Sequence, residues 1–168
     1  MLRLPVFLSL LGSVAAIDIW LRWESGGNVH CSGIAPDHCC GVLGRSDSPF
    51  KGIDFQAIPS DWNLVVRGHR GPQCGVIGQS DTSRGRGNVV LENGPFGGGG
   101  YGFASLKRSE GAGGCTEVVR PSVLTLTDGV RYNVTELDDA SFAEMVRVSC
   151  SLRIYVREFI LIVRFNSQ

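Results

Sequence analysis

The chain has 168 residues, the length of one ordinary domain, and carries 16 basic against 16 acidic residues. Such a balance sets up no long-range field for nucleic acid or an anionic membrane surface, so neither is expected as a partner. Charged residues make up only 19% of the chain and glycines number 23, which points to many tight turns and loops.

The first residues hold the three parts of an export signal in order. Arg3 adds to the charge of the amino end, residues 4–16 form an apolar stretch, and Val14-Ala15-Ala16 suits signal peptidase. Thirteen residues interrupted by Pro5 and Gly12 fall short of the about 20 that a spanning helix needs. The sequence therefore predicts a signal peptide over 1–16 and one secreted, extracellular domain over 17–168 with no membrane span. All six cysteines (Cys31, Cys39, Cys40, Cys74, Cys115 and Cys150) follow the predicted cleavage site. In an oxidising compartment an even count reads as three disulfides. Their pairing stays open, except that a strained bridge between neighbours Cys39 and Cys40 is excluded. Each bridge contributes about 2–4 kcal/mol, mainly by restricting the unfolded chain. His30-Cys31 and His38-Cys39-Cys40 lack the paired short spacings of zinc sites, so no metal and no other cofactor is expected.

In chain order, Ile17, Ile19, Leu21 and Trp23 fall on one side of an extended segment, a half-buried strand. A cysteine-rich loop over 25–44 follows. Ile53, Phe55 and Ala57 alternate with Asp54 and Gln56 as a second strand, Ile58-Pro59-Ser60-Asp61 makes a turn, and Leu64-Val65-Val66-Arg67 resumes as a strand. Residues 78–114 hold two glycine-rich patches, 94–102 and 111–114, around short apolar pieces, and read as flexible surface connection.

Residues 123–134 read as a hairpin around Thr127-Asp128-Gly129. A two-residue loop would scatter the apolar side chains over both faces. A three-residue loop with Gly129 left-handed sets Leu126 opposite Val130 and Leu124 opposite Tyr132, and burial selects that register. It turns Asn133, the acceptor of a possible glycan in Asn133-Val134-Thr135, to solvent. Asp138, Asp139, Ser141 and Glu144 then form a helix start, with Phe142, Met145 and Val146 at helical spacing, for one short helix near 139–148. The tail from Leu152 to Phe165 is rich in β-branched and aromatic residues, and its apolar run Phe159 to Val163 reads as a further core strand. The fold class is mainly β: a small disulfide-stapled sandwich or barrel.

No nucleophile turn, zinc-binding helix or phosphate loop is present, so no catalytic residue is assigned. Arg67, His69 and Arg70, with Arg84 and Arg86 further on, are candidate contacts for an anion, a set a ribonuclease would need with an acidic partner. Asp54, Asp61 and Glu92 are scattered carboxylates, whereas a glycosidase needs two of them about 5–10 Å apart. Trp20, Trp23 and Trp62 are candidates for stacking on a sugar ring, with partly buried packing as the ordinary alternative.

Cys31 with Pro36-Asp37-His38-Cys39-Cys40, then Phe55-Gln56-Ala57-Ile58-Pro59-Ser60-Asp61-Trp62-Asn63-Leu64, Cys74 and Tyr101-Gly102-Phe103, resembles a group of small secreted cysteine-rich proteins of filamentous fungi. The resemblance runs over about 17–115 and implies a compartment rather than an activity. Members usually begin with a further cysteine, which this chain lacks before Cys31, and the resemblance leaves Cys150 to supply that partner. The layout of strand, tryptophan turn and strand is also similar to βγ-crystallin-like fungal toxins, as a matter of fold alone. Compartment, bridges and missing catalytic signatures lead to a non-enzymatic, effector-like or toxin-like protein acting by surface recognition. Its expected partner is an extracellular protein or cell-surface glycan, with the chain itself a monomer. A small secreted hydrolase and a cell-wall carbohydrate-binding module are the alternatives.

Overall fold

The computed structural model describes residues 16–43, 47–105 and 115–151, without the side chains of Gln73, Cys150 and Ser151. Residues 1–15 of the expected signal peptide, the glycine patch 111–114 and the tail over 152–168 lie outside the described residues.

Among the described residues, eleven strands form two sheets. The first sheet takes β1 (Ile17–Arg22), β2 (Asn28–Ile34), β4 (Gly52–Gln56), β7 (Val89–Leu91), β10 (Val123–Thr125) and β11 (Arg131–Asn133), in the order β11-β10-β2-β1-β4-β7. The second takes β3 (His38–Gly41), β5 (Leu64–Arg70), β6 (Val76–Thr82), β8 (Gly98–Phe103) and β9 (Glu117–Val119), in the order β6-β5-β8-β3-β9. Pairing is antiparallel throughout except for β3 with β9. Among the described residues each sheet keeps two edge strands, so the architecture is a sandwich and not a closed barrel.

Period-two alternation explains the core. In β1, Ile17, Ile19 and Leu21 are buried while Asp18, Trp20 and Arg22 are partly exposed. Ile19 stands opposite Cys31 and Phe55, and Leu21 opposite Val29 and Ile53, so three strands turn one apolar face inward. Leu64, Val66, Tyr101 and Cys40 of the second sheet close that core from the other side. The buried Tyr101 hydroxyl donates to the Ile34 carbonyl at 2.8 Å, and burial pushes its pKa up to about 12.

The same alternation gives the adjacent cysteines opposite directions. Cys40 points into the core and bridges Cys31 of β2, joining the two sheets. Cys39 points to the outer face of the second sheet and bridges Cys74 in a 3-10 turn, Pro72–Cys74. These are the two bridges among the described side chains.

The hairpin adopts the three-residue loop: Leu124 pairs with Tyr132, Leu126 N–H donates to Val130 O at 2.9 Å, and Gly129 has φ +82°. The helix α1 (Asp139–Ser151) starts where Asp138 accepts the Ser141 N–H at 2.8 Å, and it buries Phe142, Met145 and Val146. These hydrogen bonds hold the Asp138 carboxyl below its usual range.

The glycine patch over 94–102 corrects an expectation. It is not surface connection: β8 is the central strand of its sheet, buried from Gly98 to Gly102. β6, from Gly78 onward, also lies in the stretch read as loop. Glycine is a poor strand former in general, and tertiary crowding overrides that preference here.

Candidate functional site

On the outer face of the second sheet, β5 presents Arg67 and His69, and β3 presents Cys39. Between them β8 contributes Gly98 and Gly100, paired with His69 and Arg67 on one side and with Gly41 and Cys39 on the other. The absence of side chains there makes room for sulfur. A Cβ at Gly98 would lie 2.6 Å from Cys74 Sγ and 3.2 Å from Cys39 Sγ, and one at Gly100 would lie 3.0 Å from Cys115 Sγ. Cys115 reaches this spot because Thr116 N–H donates to Asp37 O at 2.8 Å, laying the start of β9 beside β3.

The result is a compact cluster. Ligand atoms of Cys39, His69 and Cys115 lie within 4.8 Å of one another, with Cys39 and His69 fully buried and Cys115 half-buried. His69 Nδ1 lies 3.4 Å from the carbonyl of Gly75, and its Nε2 lies 3.5 Å from Cys115 Sγ. A carbonyl only accepts, so this contact calls for a proton on Nδ1 and leaves the Nε2 lone pair facing sulfur. Beside His69, Arg67 is buried and its Nη2 donates to Asp37 Oδ1 at 2.9 Å. Arg67 Nε and Nη1 have no hydrogen-bond partner among the described residues.

The five candidate anion contacts do not converge. Arg67 and His69 are buried, Arg70 is exposed, and Arg84 and Arg86 sit in the turn after β6, at the end of β5 away from His69. There Arg86 donates to Asp81 at 2.7 Å, which holds the Asp81 carboxyl low, and Arg84 donates to Thr82 Oγ1 at 2.9 Å. Of the carboxylates, Asp54 and Glu92 meet on Arg22, at 2.9 and 2.6 Å, while Asp61 lies exposed in its turn.

The tryptophans form no shared platform. Trp20 stacks on His30 with ring centres 3.9 Å apart, Trp23 is buried against Phe50, and Trp62 meets Phe103 edge-on at 5.0 Å. Asn133 is exposed, and its Oδ1 accepts from Thr135 N–H and Oγ1–H.

The cluster escaped sequence reasoning because its parts come from four distant segments. Two signals pointed toward it: the parity of Cys39 against Cys40, and the same parity shared by Arg67 and His69.

A family pattern matches residues 18–122. The chain belongs to the ARB_05566_N family of N-terminal domains. The ARB_05566_N match encloses every member of the cluster, from Asp37 to Cys115, and stops before β10, β11 and α1. No curated protein and no solved structure matches the chain.

Proposed function

We propose that this is a secreted, non-enzymatic domain that acts by recognising a protein at a surface outside its own cell, in an effector-like or toxin-like manner. The observation that carries the reading is the edge of β6, with which no further strand pairs among the described residues. That strand ends its sheet, is exposed over most of its length, and begins with Val76 and Ile77 at 72% and 41% exposure. An unpaired strand edge offers a row of backbone donors and acceptors, and a flanking apolar pair adds burial when a partner segment pairs with it. A scaffold bridged on both faces of β3 suits this role because its binding edge is ordered in advance. The leader, the disulfides and the acceptor Asn133 are consistent features of one exported glycoprotein. Burial of Arg67 and His69 takes two of the five candidate anion contacts of the ribonuclease alternative away from the surface.

The test uses labelled mature protein on intact target cells, with wild type compared to the double variant Val76→Lys, Ile77→Lys. The reading predicts saturable binding that protease treatment of the cells abolishes and that the variant weakens by about tenfold or more, without change in far-UV circular dichroism. Binding that survives protease and the variant but is lost to glycosidase treatment overturns it in favour of the carbohydrate reading.

A further inference from the structure

The charge along β6 is one-sided. Arg70 is exposed at the end of β5, opposite Val76, and joins no ion pair among the described residues. Its side chain lies across Gly78 of the edge strand. A Cβ at Gly78 would stand 2.7 Å from both Arg70 Cγ and Arg70 Nε, so glycine there is what leaves the arginine room. At the other end of β6, Arg84 is exposed and donates to Thr82 Oγ1 at 2.9 Å, while Arg86 donates to Asp81 at 2.7 Å. Three guanidiniums stand along the strand and its flanks, and Asp81 is the carboxylate among them. Pairing of Asp81 with Arg86 leaves one positive charge at each end, Arg70 and Arg84.

We propose that the segment received by the β6 edge is acidic: an extended stretch of a partner protein with carboxylates at both ends, held by Arg70 and Arg84. The inference rests on the recognition reading and names the chemistry of what that edge takes.

Geometry sets the spacing. From Gly78, beneath Arg70, to Thr82, beside Arg84, is four steps along the strand, about 13 Å at about 3.3 Å per residue. About four neutral residues between acidic ones therefore span the two arginines. Gln79 and Ser80 put no charge between them, and exposed Val76 and Ile77 offer burial beyond Arg70. A guanidinium meets a carboxylate with two parallel N–H donors, so each contact fixes direction as well as sign. Each exposed pair is weak alone, but backbone pairing along the edge holds both ends in register. The same charges disfavour a second copy of this chain as the occupant. Antiparallel pairing of β6 with itself brings Arg70 beside Arg84, and parallel pairing brings Arg70 beside Arg70, and like charges set against each other destabilise a pair.

The experiment titrates labelled synthetic peptides with the full mature protein, bridges intact, by fluorescence anisotropy at about 0.05 M salt. One peptide alternates valine and threonine over about four residues and carries an acidic pair at each end, which puts a carboxylate on each face of a strand. A second has lysine pairs in those places. A third keeps the acidic pairs but has prolines in the middle, which cannot join a ladder. The inference predicts that the acidic strand peptide binds about tenfold or more tightly than either of the others. It also predicts that this peptide slows amide hydrogen exchange over residues 76–82. Arg70→Gln combined with Arg84→Gln should erase the preference over the lysine peptide, with far-UV circular dichroism unchanged. Equal affinity for the acidic and lysine peptides overturns the inference and leaves the recognition reading standing. Equal affinity for the proline peptide, or binding that leaves exchange over 76–82 unchanged, takes the acidic segment off the strand edge and overturns it as well. Binding of neither strand peptide overturns the inference and the reading together.

Discussion

Asp37 and Arg67 form an ion pair whose two halves live in different media. The Arg67 side chain is 1% exposed and the Asp37 side chain 41%. Removing the carboxylate strands a buried guanidinium, whereas removing the guanidinium leaves a carboxylate that water solvates. Asp37→Asn is therefore expected to cost about 3 kcal/mol, and Arg67→Met to stay within about 1 kcal/mol of wild type or to stabilise. Urea denaturation of the two variants checks the asymmetry.

His30 makes a second residue-level prediction. Burial, with Arg131 adding to it and Asp18 opposing, lowers its pKa below the ordinary 6.5. The folded protein thus holds His30 neutral where the unfolded chain already binds a proton. Stability is full above 6.5 and falls as pH drops from there through the folded pKa. Denaturation midpoints at about pH 7.5 and about pH 5 should show the loss, and His30→Gln should remove the part of the slope that His30 causes.

At the scale of elements, legibility followed locality. The hairpin register was readable because the Thr127-Asp128-Gly129 loop and the apolar set Leu124, Leu126, Tyr132 and Val134 lie within a dozen residues. The helix was readable because its cap, Asp138, and its buried stripe are equally local. β8 was not, since Gly98, Gly99 and Gly100 are explained by atoms far along the chain. A Cβ at Gly99 would meet Ile53 Cγ2 at 2.9 Å, and one at Gly100 would meet His38 O at 2.6 Å and Cys115 Sγ at 3.0 Å. Gly100→Ala should accordingly destabilise by about 1–3 kcal/mol through overpacking. Gly129→Ala is the contrast: nothing lies within 4 Å, so its left-handed φ alone costs about 1 kcal/mol. Calorimetry that finds Gly129→Ala the more damaging of the two would contradict the crowding account of β8.

At the scale of the molecule, the mainly β class followed from alternation, glycine content and cysteine count, and the sandwich forms as one of the two architectures those signals allow. What the sequence left hidden was the division of strands between sheets, because β3, β5 and β8 meet only through long-range pairing. The bridge between Cys31 and Cys40 then ties one sheet to the other through the core, while Cys39 serves the opposite face.

The arrangement rests on neighbouring cysteines looking in opposite directions from β3. Non-reducing digestion of the mature protein, with fragments sequenced finely enough to separate Cys39 from Cys40, tests it most directly. The structure predicts Cys40 linked to Cys31 and Cys39 linked to Cys74. Recovery of Cys40 linked to Cys74 or Cys115 would place it on the outer face and contradict the account.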